Sequence, residues 1–99
     1  MIVTVKAITP PRKSNRLADV TIELSDGNGH SVEITDLRIL RAQKTQELWV
    51  GVPSFSIPNS HKGWDYVKTC EFSRALFREI ESAVLDAYAE WIEKNGGAR

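Results

Sequence analysis

Apolar and polar residues alternate along most of the chain before residue 70, a pattern typical of β-strands that bury one face. Clusters rich in glycine, proline, serine and asparagine interrupt the alternation and mark turns and loops. Towards the C-terminus the apolar spacing changes to three and four residues, which is typical of a helix. The pattern therefore predicts strands over residues 2–8, 17–24, 31–40, 48–53 and 64–68, and a helix over residues 73–95.

The second and third predicted strands define the buried face most clearly. Every even-numbered residue from Ala18 to Leu24 is apolar, so these side chains should share one face. In the third strand the alternation changes phase, and one extra residue near Thr35-Asp36, a β-bulge, would correct it. The bulge would keep four side chains on the buried face: Val32, Ile34, Leu37 and Ile39. Between the two strands, Asp-Gly-Asn-Gly at 26–29 predicts a tight turn, because glycine adopts positive φ without strain.

The predicted helix carries end signals. Ser73 is suited to the N-cap, where its hydroxyl accepts a hydrogen bond from a free backbone N–H of the first turn. Phe72 and Phe77 stand at the positions of a hydrophobic staple. Gly96 is suited to the left-handed residue that follows the last turn.

Strands followed by one helix predict an α+β fold: an antiparallel β-sheet of four to five strands with one long C-terminal α-helix packed on one face. We expect residues 1–95 to form this single domain and residues 96–99 to be a disordered tail. Residues 54–63 are expected to be irregular. Trp49 falls on the second, mostly polar face of the sheet, and Gly51 leaves a gap beside it.

Composition narrows the possible functions. The 99 residues include 13 Lys+Arg and 13 Asp+Glu, so the net charge gives no argument for a nucleic-acid partner. The predicted helix is acidic and the rest of the chain mildly basic, although a solvated surface of mixed charge explains the same distribution. No apolar run is long enough to span a bilayer and no signal-peptide pattern is present, so we expect a cytoplasmic protein.

The sequence shows no catalytic or metal-binding motif. His30 and His61 lack metal-ligand spacing to each other and to Cys70, the one cysteine. Ser54 and Ser73 lack the sequence context of a nucleophile. We therefore expect no enzymatic activity, no metal, no cofactor and no small-molecule substrate.

Two segments concentrate positive charge and are candidates for contact with nucleic acid. Cations neutralise phosphates, and aromatic faces stack on unpaired bases. Trp64 and Tyr66 are more simply explained as core residues of a strand, whereas Phe55 and Trp49 are candidate stacking residues. The predicted nucleic-acid contacts are Arg12, Lys13, Arg16, Phe55, His61, Lys62 and Lys68.

A second candidate surface lies on the flank of the helix. Leu85 and Ile92 are a heptad apart and lie beside Tyr88. Isolated apolar side chains are ordinary on a protein surface, but beside open sheet edges they favour a subunit contact. The predicted dimer or partner contacts are therefore Leu85, Tyr88 and Ile92.

The order of these motifs resembles the stage V sporulation protein G (SpoVG) family. The resemblance is carried by residues 21–26 and 34–39 in two strands, residues 49–54 in a third, and residues 83–88 in the helix. Each motif is short, but they follow one another in the family's order and span most of residues 1–90. One difference is local: where relatives commonly place basic residues after the Pro-Ser pair, this chain has Phe55 and Ser56.

The resemblance implies a small, dimeric, cytoplasmic bacterial protein that binds DNA, and in some cases RNA, and regulates gene expression without enzymatic activity. Family members are also connected with septation and sporulation. We therefore expect a homodimer that binds nucleic acid. The alternative is a protein–protein interaction module that uses a sheet edge or the helix flank and does not bind nucleic acid.

Overall fold

The computed structural model describes residues 1–12, 16–59, 61, 63–68 and 70–95, with the backbone alone at 55–59 and 63–67. The first four strands form one antiparallel sheet in the order β1-β2-β3-β4, and the last two form a separate hairpin. The predicted α+β fold is confirmed. The elements are β1 (Ile2–Thr9), β2 (Ala18–Ser25), β3 (Ser31–Arg41), β4 (Leu48–Gly51), β5 (Ser54–Asn59), β6 (Gly63–Lys68) and α1 (Arg74–Lys94).

Two bulges flank the centre of β2. On one side Val20 pairs with Leu37 and Ile22 with Ile34, so Thr35 and Asp36 together face Thr21. Asp36 has a φ of 66°, and the predicted bulge is confirmed. A second bulge, which the sequence pattern did not reveal, occurs in β1, where the register shifts between Val5 and Ala7. Because of this bulge Val3, Val5 and Ile8 all pack against the core, although the first two are odd-numbered and the third is even-numbered.

The core lies between the inner face of the sheet and one face of α1. All four apolar residues of β2 are buried, as predicted, and Ile80, Val84 and Tyr88 of α1 cover them. Val32 is the exception on this face: it pairs with Leu24 but is 53% exposed. The expectation that Val32 is buried was wrong, because pairing fixes only which face a residue occupies. The buried core consists of Ala18, Val20, Ile22, Leu24, Leu37, Ile39, Val50, Ile80, Val84 and Tyr88.

The predictions for the β2–β3 turn and for the start of α1 are confirmed. Gly27 and Gly29 adopt φ of 81° and 94°. The Ser73 hydroxyl accepts a hydrogen bond from the Leu76 backbone N–H at 3.2 Å. The rings of Phe72 and Phe77 stack with centroids 6.4 Å apart, which confirms the staple. Gly96 lies outside the described residues, as do positions 97–99.

The hairpin of β5 and β6 corrects the prediction for residues 54–63. This segment was expected to be irregular because it carries Pro58 and several turn-forming residues. Instead β5 pairs along its length with β6, from Ser54 opposite Lys68 to Asn59 opposite Gly63. The predicted last strand at 64–68 is present, but it pairs only with β5 among the described strands and does not extend the main sheet.

Candidate nucleic-acid interface

The first predicted basic segment is largely neutralised by carboxylates. Arg12 remains exposed, yet its Nε lies 3.0 Å from an Asp19 oxygen and its Nη2 contacts Asp36. Hydrogen bonds to Asp19, and then to Asp36, raise the pKa of Arg12. A phosphate group that approached Arg12 would therefore have to compete with two carboxylates that already hold it.

Arg16 differs from the exposed cation that its loop position suggested. The residue is only 8% exposed, and its Nη1 lies 2.8 Å from the second oxygen of Asp19. Burial raises the pKa of Asp19, but hydrogen bonds from Arg16 and Arg12 outweigh burial, and the net effect is a lowered pKa. The Arg16 side chain thus stabilises a buried carboxylate instead of lining a surface. Lys13, the third predicted contact here, lies outside the described residues.

The second predicted basic segment is divided between the two ends of a hairpin. His61 is exposed and lies in the turn after β5, whereas Lys68 is exposed at the far end of β6. Six-residue strands separate these ends by roughly 17 Å along the hairpin. The structure therefore does not bring His61 and Lys68 together. Lys62 lies outside the described residues, and so does the Phe55 side chain.

Trp49, Arg38 and Gly51 come together on the outer face of the sheet, which α1 does not cover. The register of β3 and β4 pairs Leu40 with Trp49 and Arg38 with Gly51. Trp49 is 46% exposed. A Cβ atom at Gly51 would lie only 2.9 Å from the Arg38 Cγ, so the absence of a side chain lets Arg38 cross the β4 backbone.

The hydrogen-bonding groups of the Arg38 side chain are poorly satisfied in this position. Its two hydrogen bonds, to the Ser54 hydroxyl and the Asp36 carbonyl oxygen, are both long at 3.4 Å. Its Nε is buried without a hydrogen-bond partner, and among the described residues no carboxylate forms an ion pair with it. Burial, and then the charge of Arg16, lower the pKa of Arg38. An anion placed here would therefore stabilise a cation that the chain leaves without a counterion.

These residues border a cleft of about 310 Å³, which we call the outer cleft. Arg38, Lys68 and Trp49 are all among its lining residues. Such a site combines positive charge with a flat aromatic face. The outer cleft is lined by Arg38, Leu40, Trp49, Gly51, Val52, Ser54 and Lys68.

The predicted partner surface on the helix flank is mostly part of the core. Tyr88 is 1% exposed and stacks on Trp91 with ring centroids 5.9 Å apart, so a partner could not reach it. Leu85 and Ile92 are half-buried and pack against the core cluster. Tyr88 was predicted as a partner contact because it lies beside Leu85 and Ile92, but a helical wheel gives angles and not the depth to which each position is buried against a sheet.

Sequence reasoning identified Trp49 and Gly51 but missed Arg38, Leu40 and Ser54. The available signal was the phase of β3 after the bulge, which places Arg38 and Leu40 on the outer face next to Trp49. The described residues contain no group of three or more His, Cys, Asp or Glu side chains placed to hold a metal ion. The helix in the described part of the chain does not combine the length and the apolar character that a bilayer span requires.

Comparison with known proteins does not add an identity to this geometry. No protein-family model, no curated protein and no solved structure matches the chain. The resemblance to the SpoVG family therefore stays a prediction, carried by the short motifs in the sequence.

Proposed function

We propose that this protein binds nucleic acid, DNA or RNA, without enzymatic activity, and that the outer cleft makes the contact. The observation that carries the proposal is Arg38, a half-buried guanidinium with a long hydrogen bond on each side and no carboxylate partner among the described residues. A polyanion supplies the missing counterion. Trp49 beside it supplies a surface on which a base can stack.

The electrostatics favour this cleft over the first basic segment. Arg12 and Arg16 already hold Asp19, and Arg12 also holds Asp36. Arg38 is a third guanidinium near Asp19 and Asp36, but it forms no ion pair with either carboxylate. Lys68 adds an exposed cation to the lining of the same cleft. Few arginines reach outward, so recognition would rest on phosphate and stacking contacts more than on base edges.

The biological setting of the proposal follows from the resemblance to the SpoVG family. We expect a cytoplasmic regulator of gene expression that acts as a homodimer. Two copies would present two outer clefts, and two weak sites on one strand bind much more tightly than one. This would allow a chain of zero net charge to hold a polyanion.

The test is a salt series with labelled single-stranded DNA, duplex DNA and single-stranded RNA of about 16 nucleotides. We expect the affinity of the wild type to fall steeply between about 50 and 200 mM salt. Lys68→Ala should reduce the slope of log K against log salt by about 0.7–0.9, which corresponds to one phosphate contact. Lys94→Ala, which removes an exposed lysine from the end of α1, is the matched control and should leave the slope unchanged.

Two results would contradict the proposal. Absence of binding to all three nucleic acids at low salt would exclude the function for these substrates. Binding whose slope falls in Arg12→Ala but not in Lys68→Ala would return the contact to the first basic segment. Size measurement of the free protein tests the homodimer separately.

A protein-interaction module remains the alternative function, and one observation favours it. The outer strands β1 and β4 each pair with a single neighbour among the described strands. Each therefore has an open edge to which a peptide could pair as an additional strand. Under this alternative the protein would capture a peptide strand, and Lys68→Ala would leave that capture unchanged.

A further inference from the structure

The dimensions of the outer cleft limit what can occupy it. Its volume of about 310 Å³ is at the lower end of the range for small-molecule sites, roughly 300–1,000 Å³. A nucleic-acid helix cannot enter a space of that size. A single nucleotide is the part of a nucleic acid that matches it, with a flat base and one charged phosphate.

The exposed indole adds a condition on the form of that nucleotide. In a duplex the faces of the bases are covered by their neighbours in the stack, and proteins reach only base edges and the backbone. An aromatic side chain can meet a base face only where the base is unpaired. Trp49 stands on an open sheet face with nearly half of its surface accessible, so it can accept such a face.

We propose that the outer cleft holds one unpaired nucleotide, with its base stacked on Trp49 above the Gly51 backbone and its phosphate between Arg38 and Lys68. The assignment rests on the proposed nucleic-acid function and adds a substrate class to it: single strands are preferred over duplexes. The three groups are supplied by β3, β4 and β6, so the site exists only when the β5–β6 hairpin lies beside the main sheet.

Gly51 is the positioning residue of this site. A Cβ there would lie 2.9 Å from the Arg38 Cγ and 3.0 Å from the Leu40 Cδ1, both closer than ordinary packing allows. Alanine at this position would push the Arg38 side chain off the β4 backbone and into the space that the base needs. Gly51→Ala should therefore weaken single-strand binding without removing any charged or aromatic group.

The experiment compares the affinities of single-stranded oligothymidylate and of duplex DNA of equal length at one salt concentration. Stacking of a base on an aromatic ring is worth about 1–3 kcal/mol, so Trp49→Ala should weaken single-strand binding roughly 5- to 150-fold. Duplex binding, which uses phosphates alone, should change less than about twofold. Trp49→Phe, which keeps an aromatic face, should recover most of the affinity.

Tryptophan fluorescence distinguishes direct contact between Trp49 and a base from a purely structural role of Trp49. Oligothymidylate should quench the wild-type emission, and the quenched component should be missing from Trp49→Phe. Urea unfolding of each variant shows whether it is folded; because Trp49 and Gly51 lie outside the buried core, Trp49→Phe should unfold close to the wild type.

The outcomes separate this inference from the proposed function. Equal wild-type affinity for single strand and duplex, or equal losses for both in Trp49→Ala, would overturn the unpaired-nucleotide site and leave nucleic-acid binding intact. Unchanged single-strand binding in Trp49→Ala would overturn it as well. Failure of both nucleic acids to bind at low salt would overturn the proposed function itself.

Discussion

Asp19 stabilises the polar end of the sheet, and its replacement by asparagine should strongly destabilise the folded protein. The carboxylate accepts hydrogen bonds from Arg16 Nη1 at 2.8 Å, from Arg12 Nε at 3.0 Å and from the Arg12 backbone N–H at 3.0 Å. The Asp19→Asn side chain has nearly the same shape but loses the charge and one acceptor oxygen. The buried Arg16 guanidinium would then lack a counterion among the described residues.

The expected magnitude follows from burial. The side chains of Arg16 and Asp19 are only 6% and 8% exposed, and removal of one partner from a buried ion pair costs about 3–5 kcal/mol. The exposed Arg12 adds little to this loss, since solvent screens its pairing. Because asparagine still accepts one hydrogen bond, we expect a loss near the lower value, about 3 kcal/mol of unfolding free energy.

The loss should depend on pH in a direction fixed by the pKa of Asp19. This pKa is lowered in the folded protein, so the carboxylate stabilises the fold above its unfolded-state pKa of about 3.9. The stabilisation disappears as the pH falls through the lower, folded-state pKa. The difference between the wild type and Asp19→Asn should thus be largest near neutral pH and should narrow below about pH 4.

Urea unfolding measures this directly. With a slope of about 1–3 kcal/mol/M, the Asp19→Asn midpoint at neutral pH should fall by roughly 1–3 M. Asp86→Asn, an exposed carboxylate on α1, is the charge-matched control and should change the free energy by less than about 0.5 kcal/mol. A second change, Arg16→Met, should restore most of the loss because no buried cation remains. A loss below about 0.5 kcal/mol, or one that persists unchanged at pH 3, would contradict a stabilising buried ion pair at Asp19.

Three further predictions concern the fold. Ile22→Ala should lower the free energy of unfolding in urea by about 2–5 kcal/mol, because Ile22 is fully buried. Ile2→Ala, at a 54% exposed position, should lower it by less than about 0.5 kcal/mol. Similar losses at both sites would contradict the described core. Ser73→Ala should cost about 1 kcal/mol through loss of the N-cap hydrogen bond, and no loss relative to Ser82→Ala would contradict that cap. Tyr88→Phe should be neutral or slightly stabilising, because the buried Tyr88 hydroxyl has no hydrogen-bond partner among the described residues; a loss above about 1 kcal/mol would reveal one.

The candidate site shows where residue patterns stop being informative. The cluster of Arg12, Lys13 and Arg16 suggested an exposed basic segment, yet two of its cations are committed to carboxylates from β2 and β3. His61 and Lys68 are close in the chain but occupy opposite ends of a hairpin. Charge counts along a sequence carry no information about which opposite charge the fold brings near.

The features that could be predicted from the sequence are those that depend on neighbouring residues. Alternation in β2, the bulge at Asp36, the glycine turn and the Ser73 cap each depend on contacts within a few positions, or on strand parity, which local pattern records directly. The α+β class followed from the order of these elements. The single extra residue in β1 was missed, and so was the strand β5, where proline and polar residues mask a short alternation.

Which side chains are accessible to a partner depends on the three-dimensional packing of the chain. The burial of Arg16, the exposure of Val32 and the burial of Tyr88 depend on how α1 and the loops lie over the sheet. The outer cleft depends on the alignment of β3 with β4 and on the position of the β5–β6 hairpin, which together place Arg38, Trp49 and Lys68 around one space. These residues are up to 30 positions apart in the sequence, and the distance between them is set by long-range packing and pairing, which no local pattern encodes.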